Sequence, residues 1–128
     1  MRNIVLSLAL SFALTPALLA AQSAREQART LFKKGNKDFE SNRFSDALAA
    51  FKQANALSPH PIMMKNIARV HEAMYDYDRA IEFYQEYLAS KPKDAADVRA
   101  TIARMHGTRA SWPSLKLNSM PAGAKVKV

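Results

Sequence analysis

Two stretches of sequence decide the fold: GNKDFESNRFSDALAAFKQANALSP at 35–59 and ARVHEAMYDYDRAIEFYQEYLASKP at 68–92. Aligned position by position, they match small residue to small, aromatic to aromatic and proline to proline. The matched pairs, all separated by the same interval along the chain, are Gly35 and Ala68, Phe44 and Tyr77, Ala47 and Ala80, Phe51 and Tyr84, and Pro59 and Pro92. A spacing that holds through all of these pairs is typical of repeat architectures, whose units bury their apolar faces against neighbouring units.

The periodicity inside each unit is helical. Ala47, Phe51 and Ala54 are spaced i, i+4 and i+7, which places them on one stripe of a helix, and the second unit repeats the pattern. Prolines stand at the joints, where they stop a helix from continuing. The sequence therefore predicts that each unit is a pair of antiparallel helices joined by a short turn, SNR at 41–43 and YDY at 75–77.

This skeleton of small, aromatic and proline positions resembles the tetratricopeptide repeat (TPR). The resemblance implies an all-α fold, an α-solenoid with one repeat at about 28–60 and a second at about 61–92. The sequence departs from the family pattern at Lys34, Asp38, His71 and Tyr87. Lys34 and Asp38 are compatible with the fold because no earlier repeat has to cover that face.

A further helix is predicted at 94–106, with Asp94 as its N-terminal cap and Gly107 as its end. Its Ile-Ala-Arg at 102–104 repeats the Ile-Ala-Arg at 67–69, so it resembles the first helix of a third repeat. We expect it to cap the second repeat. The TPR domain then spans 24–106, and an irregular linker is expected at 107–114.

The resemblance also implies where a partner would bind, since TPR proteins hold ligands on the concave face formed by the first helix of each repeat. The residues that map onto this face are Arg29, Phe32, Asn36, Phe39, Glu40, Lys65, Asn66, Arg69, Glu72 and Arg104. Apolar and cationic groups together suit an extended peptide with a carboxylate or acidic side chains. The alternative is a solvated helical face with no partner.

The N-terminal segment predicts export. Arg2 precedes an apolar run from Ile4 to about Leu19, and small residues follow at a plausible cleavage site, as in a secretory signal peptide spanning 1–23. The chain has no cysteine, so neither disulfides nor the acylated cysteine of a bacterial lipoprotein is available. We expect a soluble protein of the periplasm or cell envelope.

The net charge of +8 does not indicate a nucleic-acid partner, because it is not gathered on one helical face. Lysines and arginines nearly balance acids from Arg25 to Asp97, and six cations with no acid follow Asp97. The excess is a basic tail, which is either solvated or in peripheral contact with an anionic envelope surface. The oligomeric state is left open.

No catalytic or metal-binding constellation is visible, so we expect neither an enzyme nor a cofactor. The stretch HEAMY at 71–75 begins like a zinc-protease helix, but Tyr75 stands where the second histidine ligand would be needed. Three glycines in the whole chain leave no glycine-rich phosphate loop. With three scattered histidines and no acidic cluster, the sequence favours a binding protein.

The last segment, 115–128, alternates apolar and polar residues around a turn at Pro121-Ala122-Gly123-Ala124. It resembles the opening of a PEGA domain, a β module found beside TPRs in bacterial envelope proteins, and it is expected to be an incomplete β segment. Two functions follow from these resemblances. One is an exported adaptor or scaffold that binds a protein or peptide on its concave face. The other is a structural envelope protein whose β module and basic tail contact wall polymer or membrane.

Overall fold

The computed structural model describes the backbone of residues 16–118 and the side chains of residues 16–111, and within this backbone the chain forms five α-helices and no strand. The helices are α1 (Pro16–Glu40), α2 (Phe44–Leu57), α3 (Pro61–Ala73), α4 (Tyr77–Ala89) and α5 (Ala95–Asn118). α1 packs mainly on α2, and α3 on α4; the α2–α3 and α4–α5 contacts join these units in series. The predicted all-α fold of two helical hairpins and a following helix is confirmed.

The turns inside the two hairpins have the same backbone conformation. Asn42 and Tyr75, which occupy equivalent positions in the two repeats, have φ angles of 58° and 61°. The amide of Arg43 donates to the carbonyl of Asp38 at 2.8 Å, and the matching bond in the second turn is 2.9 Å. The repeat thus extends from the sequence to the hydrogen bonds that close each hairpin.

Close approach within the first hairpin depends on a glycine. Gly35 on α1 faces the ring of Phe51 on α2, which is only 1% exposed. A Cβ at position 35 would lie 2.7 Å from that ring, well inside van der Waals contact. The predicted stripe of Ala47, Phe51 and Ala54 is buried along the same side of α2.

α5 is held by a short apolar seam and covers the second hairpin. Val98 and Met105 are buried, and Ile102 packs beside them against the cluster that contains Tyr84 and Tyr87. Burial of such side chains stabilises the docked helix by about 1.5–3 kcal/mol each. This is the capping position that the sequence analysis assigned to the helix at 94–106.

The end of α5 corrects the sequence analysis, because the helix runs through the predicted linker at 107–114 and on to Asn118. Gly107 does not adopt a positive φ, and nothing lies within 4 Å of the space where its Cβ would be. A glycine in a helix costs only about 1 kcal/mol relative to alanine, so it does not by itself end one. The first four residues of the predicted β segment, 115–118, are too few to establish a two-residue period and are helical.

Other predictions about the termini fall mostly outside the described residues. Residues 1–15 of the predicted signal peptide and residues 119–128 of the PEGA-like segment are not described. Residues 16–23 form the exposed start of α1, which continues without a break into the first repeat. Between residues 16 and 118, no helix combines the length and apolar character that a bilayer span requires.

Candidate functional site: a groove between α3 and α5

A groove of about 500 Å³ opens on the side of the molecule formed by the first helices of the repeats. α3 and α5 supply its two walls, with a contribution from the end of α1, and α4 supplies a tyrosine. The lining residues are Phe39, Lys65, Arg69, Glu72, Ala73, Tyr84, Asp94, Asp97, Val98, Thr101 and Arg104. Its volume lies within the range of about 300–1,000 Å³ typical of ligand sites.

Helical spacing places the charged residues on the groove walls. On α3, Lys65, Arg69 and Glu72 follow one another at i, i+4 and i+7, so they share one face. That helix starts firmly, because Pro61 is its first residue and the His60 ring accepts a hydrogen bond from the amide of Ile62 at 3.2 Å. These charged side chains of the α3 wall therefore project from a helix whose start is well fixed.

One end of the groove is closed by a bridge from α3 to the start of α5. Lys65 Nζ lies 2.5 Å from Asp94 Oδ2, and the Tyr87 hydroxyl donates to Asp94 Oδ1 at 2.9 Å. The hydrogen bond from Lys65, reinforced by that from Tyr87, lowers the pKa of Asp94. Burial, followed by its bond to Asp94, raises the pKa of Tyr87. Asp94 is therefore ionised and Tyr87 protonated at neutral pH.

A second bridge of the same kind joins α3 to α5. Arg104 Nη2 on α5 lies 2.7 Å from Glu72 Oε1 on α3, and the Tyr84 hydroxyl donates to Glu72 Oε2 at 2.8 Å. Burial, with the bond to Glu72 next, raises the pKa of Tyr84. In both bridges a tyrosine of α4 supports a carboxylate that pairs with a cation on another segment. Together the two bridges set the separation of α3 and α5.

Two charged residues of the groove are not part of these bridges. Arg69 lies over the Phe39 ring, with its guanidinium carbon 4.9 Å from the ring centroid, and its Nη1 donates a long hydrogen bond to Asn66 Oδ1 at 3.3 Å. Within residues 16–118, no carboxylate lies at ion-pair distance from Arg69. Asp97, in the first turn of α5, is exposed and likewise forms no ion pair in the described part of the chain.

The structure brings together half of the residues expected on the concave face: Phe39, Lys65, Arg69, Glu72 and Arg104 line the groove. The other five do not line it. Arg29 and Phe32 lie at a smaller pocket of about 200 Å³ between α1 and the α2–α3 connection. Asn66 is only 6% exposed, and its side-chain amide donates to the Ile62 carbonyl.

The remaining two expected residues, Asn36 and Glu40, are half-buried and exposed respectively. Arg104 was the one residue of the α5 wall that was predicted from the sequence; the rest of that wall and the contribution of α4 were missed. Tyr84 was assigned to the core, although a buried tyrosine hydroxyl needs a partner and thus signals a polar neighbour. Asp97 precedes Arg104 by seven residues, so helical spacing could have placed both on one face, whereas Asp94 carried no signal beyond its position at a helix start.

Over residues 38–105, more than half of the chain, the sequence matches the family model described as tetratricopeptide repeat. The chain belongs to the tetratricopeptide repeat family, whose members generally mediate protein–protein interactions. No curated protein sequence matches it. Within the described residues, no group of three or more histidine, aspartate or glutamate side chains is placed to hold a metal ion.

Proposed function

We propose that this protein is an exported, non-enzymatic adaptor that binds an extended segment of a protein partner in the groove between α3 and α5. The observation that carries the proposal is Arg69, a cation spread on the Phe39 ring with no carboxylate among residues 16–118 to neutralise it. A planar guanidinium held in this way can bind a ligand carboxylate through two parallel hydrogen bonds.

The state of the groove carboxylates supports a binding role rather than catalysis. Asp94 is held ionised by Lys65 and Tyr87, and Glu72 is engaged by both Arg104 and Tyr84. A general base works best with a pKa near the working pH and a free lone pair aimed at substrate. Both oxygens of each of these carboxylates instead accept hydrogen bonds from the residues that hold the groove walls in place.

Partner capture from an extract of the source cells, with the tagged protein as bait, tests the proposal. Arg69→Glu should reduce capture of the specific partner at least about tenfold, because it places like charges against an acidic ligand group. Arg99→Glu is the matched control. Arg99 is an exposed arginine of α5 that does not line the groove and forms no ion pair within residues 16–118.

Deletion of residues 108–128 distinguishes the alternative function as a structural envelope protein. If that deletion abolishes capture while Arg69→Glu leaves it intact, the basic tail and not the groove carries the interaction. Export is tested separately by the intact mass of protein recovered from the cell envelope fraction. A mature N-terminus between about Ala21 and Arg25 supports the proposed leader, and a retained Met1 contradicts it.

A further inference from the structure

The two hairpins differ at the point where the groove meets the end of the first helix of each repeat. In the second hairpin Glu72 stands there, and it pairs with Arg104 of the following helix. In the first hairpin the equivalent position of the repeat is Phe39, and Arg69 of the following helix lies on its ring. The junction between the first hairpin and α3 thus has the cation of such a bridge, Arg69, but a phenylalanine in place of its carboxylate.

The paired charges of the groove are poorly available to a ligand. A ligand acid that approached Lys65 or Arg104 would compete with Asp94 or Glu72, each of which is also hydrogen-bonded to a tyrosine. Drawing the cation away would weaken the pairing of a carboxylate that is largely shielded from water, which opposes binding there. The charges most readily available to a ligand are therefore Arg69 and Asp97.

These two charges lie on opposite walls, Arg69 on α3 and Asp97 in the first turn of α5. Side chains of an extended peptide point alternately to opposite sides, so neighbouring residues face the two walls. Resting on the proposed binding function, we infer that the groove selects an extended segment with an acidic residue for Arg69 next to a basic residue for Asp97. This refines the expectation of an extended peptide with a carboxylate or acidic side chains.

Four fluorescein-labelled octapeptides with one common neutral frame test this selectivity by fluorescence anisotropy. They carry an adjacent acid and base, the acid alone, the base alone, or neither, with glutamine replacing each missing charge. We expect the acid–base peptide to bind at least about tenfold more tightly than the neutral one, with both single-charge peptides between them. Equal affinities, or no binding of any peptide at about 1 mM, would overturn the inference.

Charge reversals in the full protein make the test specific to the two residues. Arg69→Glu should shift preference to the base-only peptide, and Asp97→Lys to the acid-only peptide. The double variant, Arg69→Glu with Asp97→Lys, should again prefer the acid–base peptide. The basic residue of the peptide would then face the α3 wall and its acidic residue the α5 wall. Arg99→Glu and Glu86→Lys, exposed charges outside the groove, should leave the order of affinities unchanged.

The outcomes separate this inference from the proposed function. If Arg69→Glu abolishes partner capture but peptide binding ignores charge, the groove binds its partner and the acid–base selectivity is wrong. If partner capture is insensitive to Arg69→Glu and no peptide binds, both the proposed function and the selectivity fail. A preference for the acid-only peptide in the unmodified protein would contradict the role given to Asp97 alone.

Discussion

The first and second hairpins close the same turn with the acidic and the basic residue exchanged. In the first, Asp38 on α1 pairs with Arg43, which precedes α2, and Lys34 also contacts Asp38 at 2.6 Å. In the second, the matching positions are His71 and Asp76, with Nδ1 of the histidine 3.2 Å from the carboxylate. Backbone hydrogen bonds of nearly the same length close both turns. The backbone hydrogen bonds therefore set the conformation of the turn, and the side chains beside it can differ between the repeats.

The cores of the hairpins differ in a correlated way. Phe51 of the first hairpin contacts an apolar surrounding, whereas Tyr84 of the second uses its hydroxyl to reach Glu72. A buried hydroxyl needs a hydrogen-bond partner, and the partner here is a carboxylate that Arg104 also holds. At this core position the tyrosine thus occurs in the hairpin whose following helix supplies an arginine to the same carboxylate, and the other hairpin has a phenylalanine. One repeat is specialised for packing, and the other for fixing the groove.

The largest effect should come from Gly35→Ala, which tests the tight packing of the first hairpin. The added Cβ would meet three ring atoms of Phe51 within 3 Å, and that ring is too buried to swing aside. We expect a loss of about 2 kcal/mol in the free energy of unfolding, measured by urea titration, since overpacking outweighs the gain in helix propensity.

The reverse change in the second hairpin, Ala68→Gly, is the matched control and should cost about 1 kcal/mol, largely through helix propensity. Adding Phe51→Leu to Gly35→Ala should recover part of the lost stability, because the smaller side chain makes room for the Cβ. Unchanged stability of Gly35→Ala would mean that the helices separate readily and that the close approach is not required.

The next effect concerns Tyr84→Phe, which makes the second hairpin resemble the first. The change removes one hydrogen bond to the charged Glu72 and should cost about 1.5 kcal/mol in the same unfolding measurement. The same substitution at Tyr75, an exposed tyrosine whose hydroxyl has no comparable bond within residues 16–118, should be neutral. An equally small effect at both positions would show that the bridge does not hold α5.

The converse exchange builds the second hairpin's bridge into the first. Phe39→Glu with Phe51→Tyr should place a carboxylate between the new hydroxyl and Arg69, as Glu72 lies between Tyr84 and Arg104. If Arg69 is the acid-binding group, this double variant should fold and yet bind the acid–base peptide no better than Arg69→Glu does. Retained binding would show that the acid is recognised elsewhere.

The hairpins could be predicted well from the sequence because each key position of one repeat has an equivalent residue of the same type in the other. Positions such as Ala47 and Phe51 were assigned to the core from helical spacing and from their counterparts in the second repeat, Ala80 and Tyr84. The end of α5 was predicted wrongly because the prediction relied on the single residue Gly107 as a stop signal. A stop requires a backbone conformation that glycine permits but does not impose.

The groove was predictable only in part, for a physical reason. Residues on a repeated helix face, such as Phe39 and Arg69, could be placed by periodicity alone. The opposite wall depends on how α5 docks, and this helix has no second helix of its own repeat within residues 16–118 to fix the register in advance. Helical spacing could place Asp97 on the face of Arg104, but its position on the wall opposite Arg69 depends on how α5 docks.

A smaller, pH-dependent effect should follow from the exchange of aspartate for histidine between the two turns. Burial lowers the pKa of His71, opposed by Asp76, while the nearby cations Lys52 and Arg79 lower it further. Hydrogen bonds from Lys34 and then Arg43 lower the pKa of Asp38. Both groups therefore bind protons more tightly in the unfolded chain, so stability decreases as pH falls.

The two windows differ, because the ordinary pKa values are 6.5 for the histidine and 3.8 for the aspartate. Hydrogen exchange of α3 and α4 amides should accelerate relative to α1 and α2 as pH falls below about 6.5, after correction for intrinsic rates. The first hairpin should respond only below about pH 3.8.

His71→Phe should remove the pH dependence that begins near 6.5, whereas His106→Gln, at an exposed histidine, should keep it. A slope that survives His71→Phe would assign the window to another group.

The smallest effect concerns the residues at positive φ in the two turns. Asn42 tolerates the left-handed region, in which its short polar side chain is comparatively common, whereas Tyr75 has a bulky side chain at nearly the same angle. Tyr75 is 69% exposed and makes an edge-on aromatic contact with Tyr77, with 6.3 Å between the ring centroids. Tyr75→Asn should therefore stabilise the protein by about 0.5 kcal/mol, since relief of backbone strain exceeds the loss of that contact.

The exchange in the other direction, Asn42→Tyr, should destabilise the protein by a similar amount. Paired thermal melts of the two variants and the parent protein measure both effects. If Tyr75→Asn instead lowers stability, the tyrosine pair holds the turn more strongly than its backbone strain opposes it, and the two turns are equivalent in geometry but not in what stabilises them.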